Sequence, residues 1–302
     1  MDLKSKIILI SGPTASGKSS FAIKLAKKIN GEIINADSMQ VYKQLKILSA
    51  RPYLKEYNKI RHHLYGFHDV KKNFSTGSWL KLVVKKIKEI KKREKTPILV
   101  GGTGLYFRAL IEGLVKIPNI PLRIRNQIRS EQSKIGQIKF YKKLLNLDPA
   151  SKNKINPTDT HRSLRAYEIK LYTGKSIHEW YKSTKSNFHK SDFYKIYIDF
   201  PRNELIERIN LRSIKMIKNG AIKEVKKFIK LKVRKDKSVN KAIGINEIRQ
   251  YLNNEKELQE ITENISIKTR QYAKRQSTWA RGNMQTWFKL KPNELNSFLK
   301  KI

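Results

Sequence analysis

The first third of the chain alternates short apolar runs with segments in which apolar residues recur every three or four positions. Short apolar runs predict strands, and the wider spacing predicts amphipathic helices. Strands are predicted at 6–11, 32–36 and 97–101, and helices at 18–29 and 79–92. This alternation predicts a parallel sheet with helices on both faces.

Beyond residue 116 the pattern changes to helical segments divided by prolines, with no convincing strand before residue 190. A strand pattern returns at 194–200, followed by a helix that we expect Asn203 to cap and Gly220 to stop. Further helices at 222–231 and 258–281, an edge strand at 284–290 and a short final helix follow. We therefore predict an α/β core domain at 1–115 and 191–302, with an all-α domain inserted at 116–190.

The charge balance is the most unusual feature of the composition. The 302 residues include 66 Lys and Arg against 25 Asp and Glu, a net charge of +41. Such a surface attracts polyanions, although a lysine-rich compositional bias also contributes. Nucleic acid is favoured over a membrane as partner, because no basic amphipathic helix stands apart from the fold.

Several protein classes are disfavoured by what the sequence lacks. No apolar run approaches the roughly 18–20 residues of a membrane span. The segment before the first strand, residues 1–6, leaves no room for a cleaved signal peptide, so we expect a cytoplasmic protein. The absence of cysteine excludes disulfides, thiolate metal sites and a cysteine nucleophile.

A complete phosphate-loop pattern, G-x-x-x-x-G-K-[ST], lies between the first strand and the first helix. Its backbone N–H groups and the following helix N-terminus form a hollow for an anion, while the lysine adds charge and the final hydroxyl suits Mg²⁺. A chance glycine-rich turn is the alternative. The diphosphate-binding candidates are Gly12, Pro13, Thr14, Ala15, Ser16, Gly17, Lys18 and Ser19.

Most such loops bind ATP or GTP, but any diphosphate ester suits the same hollow. The chain has no guanine-reading motif, and the strand before Thr103 ends in Gly-Gly rather than in an acidic pair. A GTPase or helicase is therefore disfavoured. A small-molecule kinase stays open at this point.

Asp37 and Thr103 each follow a predicted strand of the parallel sheet, so we expect both in one crevice with the phosphate loop. Asp37 is a candidate to orient Mg²⁺-bound water, to accept a proton, or only to cap a turn with Ser38. Thr103 is a candidate phosphate contact, and the alternative is a cap for a helix at 104–112.

Seven ordered sequence blocks resemble one family, the tRNA dimethylallyltransferases, also called isopentenyl-diphosphate:tRNA transferases. The resemblance covers nearly the whole chain. The blocks are GPTASGKSS at 12–20, NADSMQVYKQL at 35–45, HHL at 62–64, LVGGTGLYFRALIEGL at 99–114, NPTDTHRSLRAYEI at 156–169, KAIGINEI at 241–248 and RQSTWARGN at 275–283.

The resemblance implies a P-loop NTPase-like core with a helical insertion that contacts tRNA. It implies transfer of a dimethylallyl group from dimethylallyl diphosphate to N6 of the adenosine 3′ to the anticodon. Asp37 matches the family's proposed base, and Lys18, Thr103, the loop amides and Mg²⁺ would stabilise the departing diphosphate. Ser19 and Asp37 are the candidate Mg²⁺ ligands.

The resemblance also implies residues that hold the tRNA anticodon stem-loop around an extruded base. For His161, Arg162 and Arg165 the alternative is a solvated helix face. The candidates are Asp37, Ser38, Met39, Gln40, Arg125, His161, Arg162, Ser163, Leu164, Arg165, Lys241, Ala242, Ile243, Gly244, Ile245 and Asn246.

Arg208 and Arg212 lie one helical turn apart and are further diphosphate candidates, with ion pairing to Glu204 or Glu207 as the alternative. Two positions depart from the family pattern: Ile245 replaces an aromatic residue, and Leu48-Ser49 replaces Gly-Thr. Both departures concern tRNA or loop contacts rather than the catalytic set.

Two other functions are compatible with parts of the sequence. A small-molecule P-loop kinase shares the loop but needs no polyanionic partner. The hypothesis of a nucleotide-gated RNA-binding protein without catalysis does not explain the presence of Asp37. We expect a monomer.

Overall fold

A computed structural model describes residues 3–302. Residues 1 and 2, which belong to the predicted core domain and to the segment before its first strand, lie outside the described range. The chain divides into two compact units. We call residues 3–111 with Phe188–Ile302 the core unit, and Glu112–Asn187 the helical unit.

The core unit is built on a six-stranded sheet in the order β3-β2-β4-β1-β5-β6, with every neighbouring pair parallel. Because all strands run the same way, the chain leaves β1, β2 and β4 at one edge of the sheet. The strands are β1 Ile7–Ser11, β2 Gly31–Asn35, β3 His62–His63, β4 Thr96–Gly101, β5 Phe193–Ile198 and β6 Phe288–Leu290.

In the core unit, most strands are followed by a helix. The regular structure of the helical unit consists mainly of α-helices. The helices are α1 Lys18–Lys28, α2 Thr76–Lys92, α3 Gly104–Glu112, α4 Leu122–Ile135, α5 Gln137–Leu147, α6 Thr160–Thr173, α7 Ile177–Lys182, α8 Arg202–Lys218, α9 Ala221–Lys230, α10 Ile245–Leu252, α11 Leu258–Asn283 and α12 Leu295–Lys300.

The central strands are apolar along most of their length because helices cover both faces of the sheet. Every residue of β1 is buried. Trp79 and Phe107, from α2 and α3, pack in one apolar layer, and Phe21 and Leu25 of α1 pack in the other. Each fully buried large side chain contributes about 1.5–3 kcal/mol. The predicted parallel α/β core with helices on both faces is confirmed.

A third apolar cluster joins the loop after β2 to four helices of the core unit, α8 to α11. It contains Leu48, Val225, Ile245 and Ile265, all buried. This cluster holds α9, α10 and α11 beside the edge of the sheet where the predicted site residues lie.

Some local predictions for the core unit need correction. Asn203 does not cap α8, since Pro201 occupies the N-cap position and Asn203 lies inside the first turn. The helix does end just before Gly220, which has φ 96°. The predicted strand at 284–290 is present only as Phe288–Leu290. Strand β3 was missed, because two residues are too few to show a periodic pattern.

The helical unit has its own apolar core. Phe140 and Leu144 of α5 pack with Ala166 and Ile169 of α6, all four buried. No strand occurs between residues 112 and 187, as the sequence predicted. Within residues 3–302, no helix combines the length and apolar character that crossing a bilayer requires.

Candidate active site

A cavity of about 280 Å³ lies at the carboxyl edge of the sheet. It brings together the phosphate loop, Asp37 and two arginines of α8. Its lining residues are Thr14, Ala15, Gly17, Lys18, Ser19, Ser20, Asp37, Gln40, Ser49, Ala50, Val100, Gly101, Arg208 and Arg212.

The phosphate loop connects the end of β1 to the start of α1. Gly17 has φ 82°, a left-handed conformation that glycine adopts without strain. The ammonium group of Lys18 donates a hydrogen bond to the Pro13 carbonyl at 3.1 Å. Burial lowers the pKa of Lys18 to about 8, although the charge of Asp37 opposes this shift. The Ser16 hydroxyl is buried and has no hydrogen-bond partner among residues 3–302.

Arg208 and Arg212 approach the loop from α8. Arg212 Nη1 donates to the Thr14 hydroxyl at 2.9 Å, and Arg212 Nε is buried without a partner in the described chain. Burial lowers the pKa of Arg212, while Asp37 opposes the shift. The Arg208 guanidinium stacks over the Phe200 ring at 4.8 Å. Neither arginine pairs with Glu204 or Glu207 in the described part of the chain, so both present positive charge to the cavity.

Asp37 follows β2 and forms a local turn with its own carboxylate. Asp37 Oδ1 accepts the Met39 N–H at 2.8 Å and the Gln40 N–H at 3.4 Å. The turn-capping alternative is thus part of the structure, but it engages only one carboxylate oxygen. A Cβ on Gly101 would collide with the Ala36 carbonyl, so only glycine lets β4 pass this close to the backbone before Asp37.

Thr103 lies beside the Asp37 turn. Its hydroxyl accepts the Ser38 N–H at 3.0 Å and donates to the Ser38 hydroxyl at 3.4 Å. The Thr103 side chain therefore fixes the segment after Asp37. Thr103 is not among the residues that line the cavity.

Ser19 and Asp37, the two predicted Mg²⁺ ligands, both line the cavity. Residues 3–302 contain no group of three or more His, Cys, Asp or Glu that could hold a metal by themselves. This donor set fits Mg²⁺ bound mainly through water and substrate phosphates, since Mg²⁺ commonly uses only one or two protein oxygens.

Gln276 of α11 bridges two parts of the site, a role that sequence reasoning missed. Its Oε1 accepts the Thr14 N–H at 2.8 Å, and its Nε2 donates to the Gly102 carbonyl at 2.9 Å. One amide thus ties the phosphate loop to the turn that carries Thr103. The block RQSTWARGN contains Gln276, but its spacing alone indicates no partner.

Three tyrosines near Asp37 were also missed. Burial raises the pKa of Tyr65, Tyr106 and Tyr272, and the negative charge of Asp37 raises each further. These phenols therefore stay neutral over the working range of pH. Tyr106 stacks on Trp79 with ring centroids 4.2 Å apart, so it also belongs to the core.

The predicted segment 241–246 of the core unit is only partly accessible. Lys241 and Asn246 are exposed, whereas Ala242, Gly244 and Ile245 are buried. Ile243 is half-buried. Of the tRNA contacts predicted in this segment, only the side chains at its two ends are exposed.

Two predicted residues of the helical unit, Arg125 and Arg165, lie beside a buried carboxylate together with Arg129, which was not predicted. Glu168 is 3% exposed and lies within 3.6–3.8 Å of Arg125, Arg129 and Arg165. His161 and Arg162 are exposed, Leu164 is half-buried, and Ser163 is buried and accepts a hydrogen bond from Gln137. The solvated-face alternative, made for His161, Arg162 and Arg165, agrees with the exposure of the first two, whereas Arg165 is half-buried beside Glu168.

The parallel sheet, the glycine-rich loop before α1 and the cationic cavity define a P-loop-like α/β protein whose cavity suits a phosphorylated ligand. Residues 40–283 match the family model described as IPP transferase. The chain belongs to this family, which confirms the resemblance found in its sequence.

Two curated relatives illustrate the match. The chain is 64% identical over its full length to a tRNA dimethylallyltransferase of Pelagibacter ubique, covering 96% of that protein. It is 44% identical over 93% of its length to the tRNA dimethylallyltransferase of Rickettsia massiliae, covering 78% of that protein.

Solved structures share the fold. A tRNA isopentenylpyrophosphate transferase from Bacillus halodurans is 31% identical with a TM-score of 0.70, with 98% of this chain and 95% of that chain covered. A eukaryotic dimethylallyltransferase described as acting on tRNA is 29% identical with a TM-score of 0.81, with 95% and 74% covered.

Proposed function

We propose that this chain transfers a dimethylallyl group from dimethylallyl diphosphate to N6 of the adenosine 3′-adjacent to the anticodon of tRNA. Family membership and the 64% identity to a tRNA dimethylallyltransferase support the reaction class. The observation that carries the assignment of residues is that the phosphate loop and Asp37 line the same cavity.

An adenine amino group is a weak nucleophile because its lone pair is delocalised into the ring. N6 attacks the first carbon of the allyl group, the bond from that carbon to the diphosphate oxygen breaks, and one N6 proton passes to Asp37. The uncommitted oxygen of Asp37 suits this role, since its other oxygen holds the local turn. A positioned base contributes about 10²–10⁴-fold to the rate.

The departing diphosphate gains negative charge as the carbon–oxygen bond breaks. Lys18, Arg208, Arg212 and the loop amides surround this position and would stabilise that charge. Thr103 acts beside them by holding the segment that carries Asp37. Ser19 and, through a bound water, Asp37 would hold Mg²⁺, which would supply further positive charge to the leaving group.

Residues of each unit are assigned to tRNA binding. In the core unit we assign Ser38, Met39, Gln40, Lys241 and Asn246. In the helical unit we assign Arg125, His161, Arg162 and Arg165, whose positive charge suits RNA phosphates. A tRNA substrate is also the basis for proposing a cytoplasmic protein, and we propose that it acts as a monomer.

Incubation with unmodified tRNA, Mg²⁺ and dimethylallyl diphosphate tests the proposal. We expect N6-dimethylallyladenosine by mass spectrometry of the digested nucleosides, without any need for ATP. Phosphorylation of a small metabolite by ATP, with no mass gained by tRNA, would instead establish the small-molecule kinase.

Replacing Asp37 with Asn distinguishes the role of Asp37 as a base from its role as a hydrogen-bond acceptor in the turn. The D37N side chain keeps an oxygen that can accept the two backbone N–H groups, but it loses the basicity of the carboxylate. We expect kcat to fall by about 10²–10⁴-fold, with the affinity for dimethylallyl diphosphate nearly unchanged by calorimetry. D37A removes the turn acceptor as well and serves as the comparison. Full activity of D37N would eliminate Asp37 as the base.

A further inference from the structure

Glu224, on the first turn of α9, accepts hydrogen bonds from three consecutive backbone N–H groups of a distant loop. Lys46 N–H donates to Oε2 at 2.7 Å and Leu48 N–H to Oε1 at 3.0 Å. Ile47 N–H lies between them, 2.8 Å from Oε2 and 3.1 Å from Oε1. Both carboxylate oxygens are therefore used as acceptors.

The loop needs such an acceptor because it forms only one turn. Its internal bonds run from Ala50 N–H to the Ile47 carbonyl and from Arg51 N–H to the Lys46 carbonyl. The N–H groups at the start of a single turn have no partner within it. An unsatisfied buried N–H costs about 1–3 kcal/mol, so the Glu224 carboxylate stabilises this conformation of residues 46–51, which we call the capped turn.

The capped turn orients one side chain of the cavity. Gln40 Nε2 donates to the carbonyls of Ser49 and Ala50 at 3.0 and 3.2 Å. Both amide protons of Gln40 are thus committed to the capped turn. Rotating the amide by a half-turn would place its oxygen against two carbonyl oxygens, which is unfavourable. The Gln40 side chain can therefore only accept a hydrogen bond from a ligand, through its amide oxygen.

Gln40, Ser49 and Ala50 line the same cavity as Asp37. An acceptor-only group suits the amino group of adenine, which donates, and disfavours a base with a carbonyl oxygen at that position. We propose that Glu224 is a positioning residue that fixes the capped turn and thereby holds Gln40 as an acceptor for the target base. This proposal rests on the function proposed above.

Steady-state kinetics of Glu224→Ala, Glu224→Gln and Gln40→Ala test the proposal. We expect E224A and Q40A each to raise KM for tRNA by about tenfold, equivalent to about 1.4 kcal/mol, with KM for dimethylallyl diphosphate within about twofold. E224Q keeps the size of the side chain but replaces one of the two acceptor oxygens with an NH2 group that faces an N–H group, so it should behave like E224A. Wild-type KM for E224Q would overturn the proposal, because packing alone would then explain Glu224.

The double variant E224A/Q40A tests whether Glu224 acts through Gln40. Residues in one network are non-additive, so the double variant should raise KM for tRNA no further than either single variant. Independent, multiplied effects would refute this coupling. E263Q, a change at an exposed glutamate of α11, is the matched control and should match the wild type.

Hydrogen exchange measured by mass spectrometry gives a readout that does not depend on turnover. Residues 45–51 should exchange faster in E224Q than in the wild type, while the phosphate loop remains unchanged. Equal exchange at 45–51 would contradict the role of Glu224 even in an inactive preparation. Failure of the wild-type protein to modify tRNA would count against the proposed function. The exchange experiment would still test whether Glu224 stabilises the capped turn.

Discussion

At the residue scale, ordinary side chains acquire special properties from their neighbours. Lys18 lies in a loop of converging N–H groups beside Arg212, and both burial and this second cation lower its pKa. Because burial opposes the charged form, a bound diphosphate should restore the charge of Lys18. Binding of the anionic ligand should therefore increase the fraction of Lys18 that is protonated.

A pH dependence follows from the Lys18 pKa of about 8. The ammonium form binds the diphosphate, and it is lost as the pH rises through this pKa. We expect kcat/KM for dimethylallyl diphosphate to fall about tenfold per pH unit above the pKa, while kcat at saturating substrate changes much less. A steady-state profile from about pH 6.5 to 9.5 measures both, and a flat kcat/KM would contradict the assignment.

A second residue-scale prediction concerns stability. Glu32 is 1% exposed and accepts hydrogen bonds from Arg93 at 2.7 Å and His63 at 2.6 Å. Burial opposes ionisation of Glu32, but these partners outweigh it and lower its pKa below the usual 4.5. A depressed carboxyl pKa stabilises the fold above the unfolded pKa, and this stabilisation is lost as the pH falls through the folded value.

We therefore expect Glu32→Gln to lower the free energy of unfolding by about 1–3 kcal/mol at about pH 7. The difference in the free energy of unfolding between E32Q and the wild type should shrink when the pH falls below the pKa of the carboxyl group in the unfolded chain. Urea denaturation from about pH 7 to about pH 3.5 gives the comparison. A difference that does not change with pH would show that the charge of Glu32 is unimportant.

At the element scale, α8 and α11 complete a site that begins on β1, β2 and β4. Gln276 bonds to Thr14 across 262 positions of sequence, and Arg212 does so across 198. The phosphate loop and Asp37 were predictable together because ligands gather at the carboxyl ends of parallel strands, whereas Thr103 lies beside the Asp37 turn and not in the cavity lining. The contribution of α8 and α11 to the site was not predictable, because a local sequence pattern does not indicate which distant loop a helix will contact.

Gln276→Ala tests the bridge between the loop and the turn after β4. Without it the spacing between leaving group and base should loosen, and we expect kcat to fall by about 10–100-fold because small misplacements are costly. KM for tRNA should change little. Gln271→Ala, at an exposed glutamine of the same helix, is the control. Equal kinetics for the two variants would rule out a positioning role for Gln276.

At the scale of the whole molecule, the net charge of +41 is the dominant property. Part of this charge is organised, as in the three arginines around Glu168. Binding of RNA to such a surface releases counterions, which makes affinity depend on salt.

We expect tRNA affinity to fall by at least about 100-fold between about 50 and 200 mM salt. Lys241→Ala should reduce the slope of log K against log salt by about one unit. Lys88→Ala, on an exposed position of α2 outside the proposed tRNA residues, should leave it unchanged. Affinity that is insensitive to salt, measured by filter binding, would argue against a phosphate-contacting surface.

The sequence by itself determined the parallel α/β core, the helical character of the middle segment, the phosphate loop and the family. Each of these depends on local periods, glycine positions or short ordered motifs, which act over a few residues. Only the tertiary structure decided that Gln276 bridges Thr14 and Gly102, that Glu224 caps residues 46–48, and that Ile245 is buried. These contacts join segments far apart in the chain, and packing of the whole fold selects them.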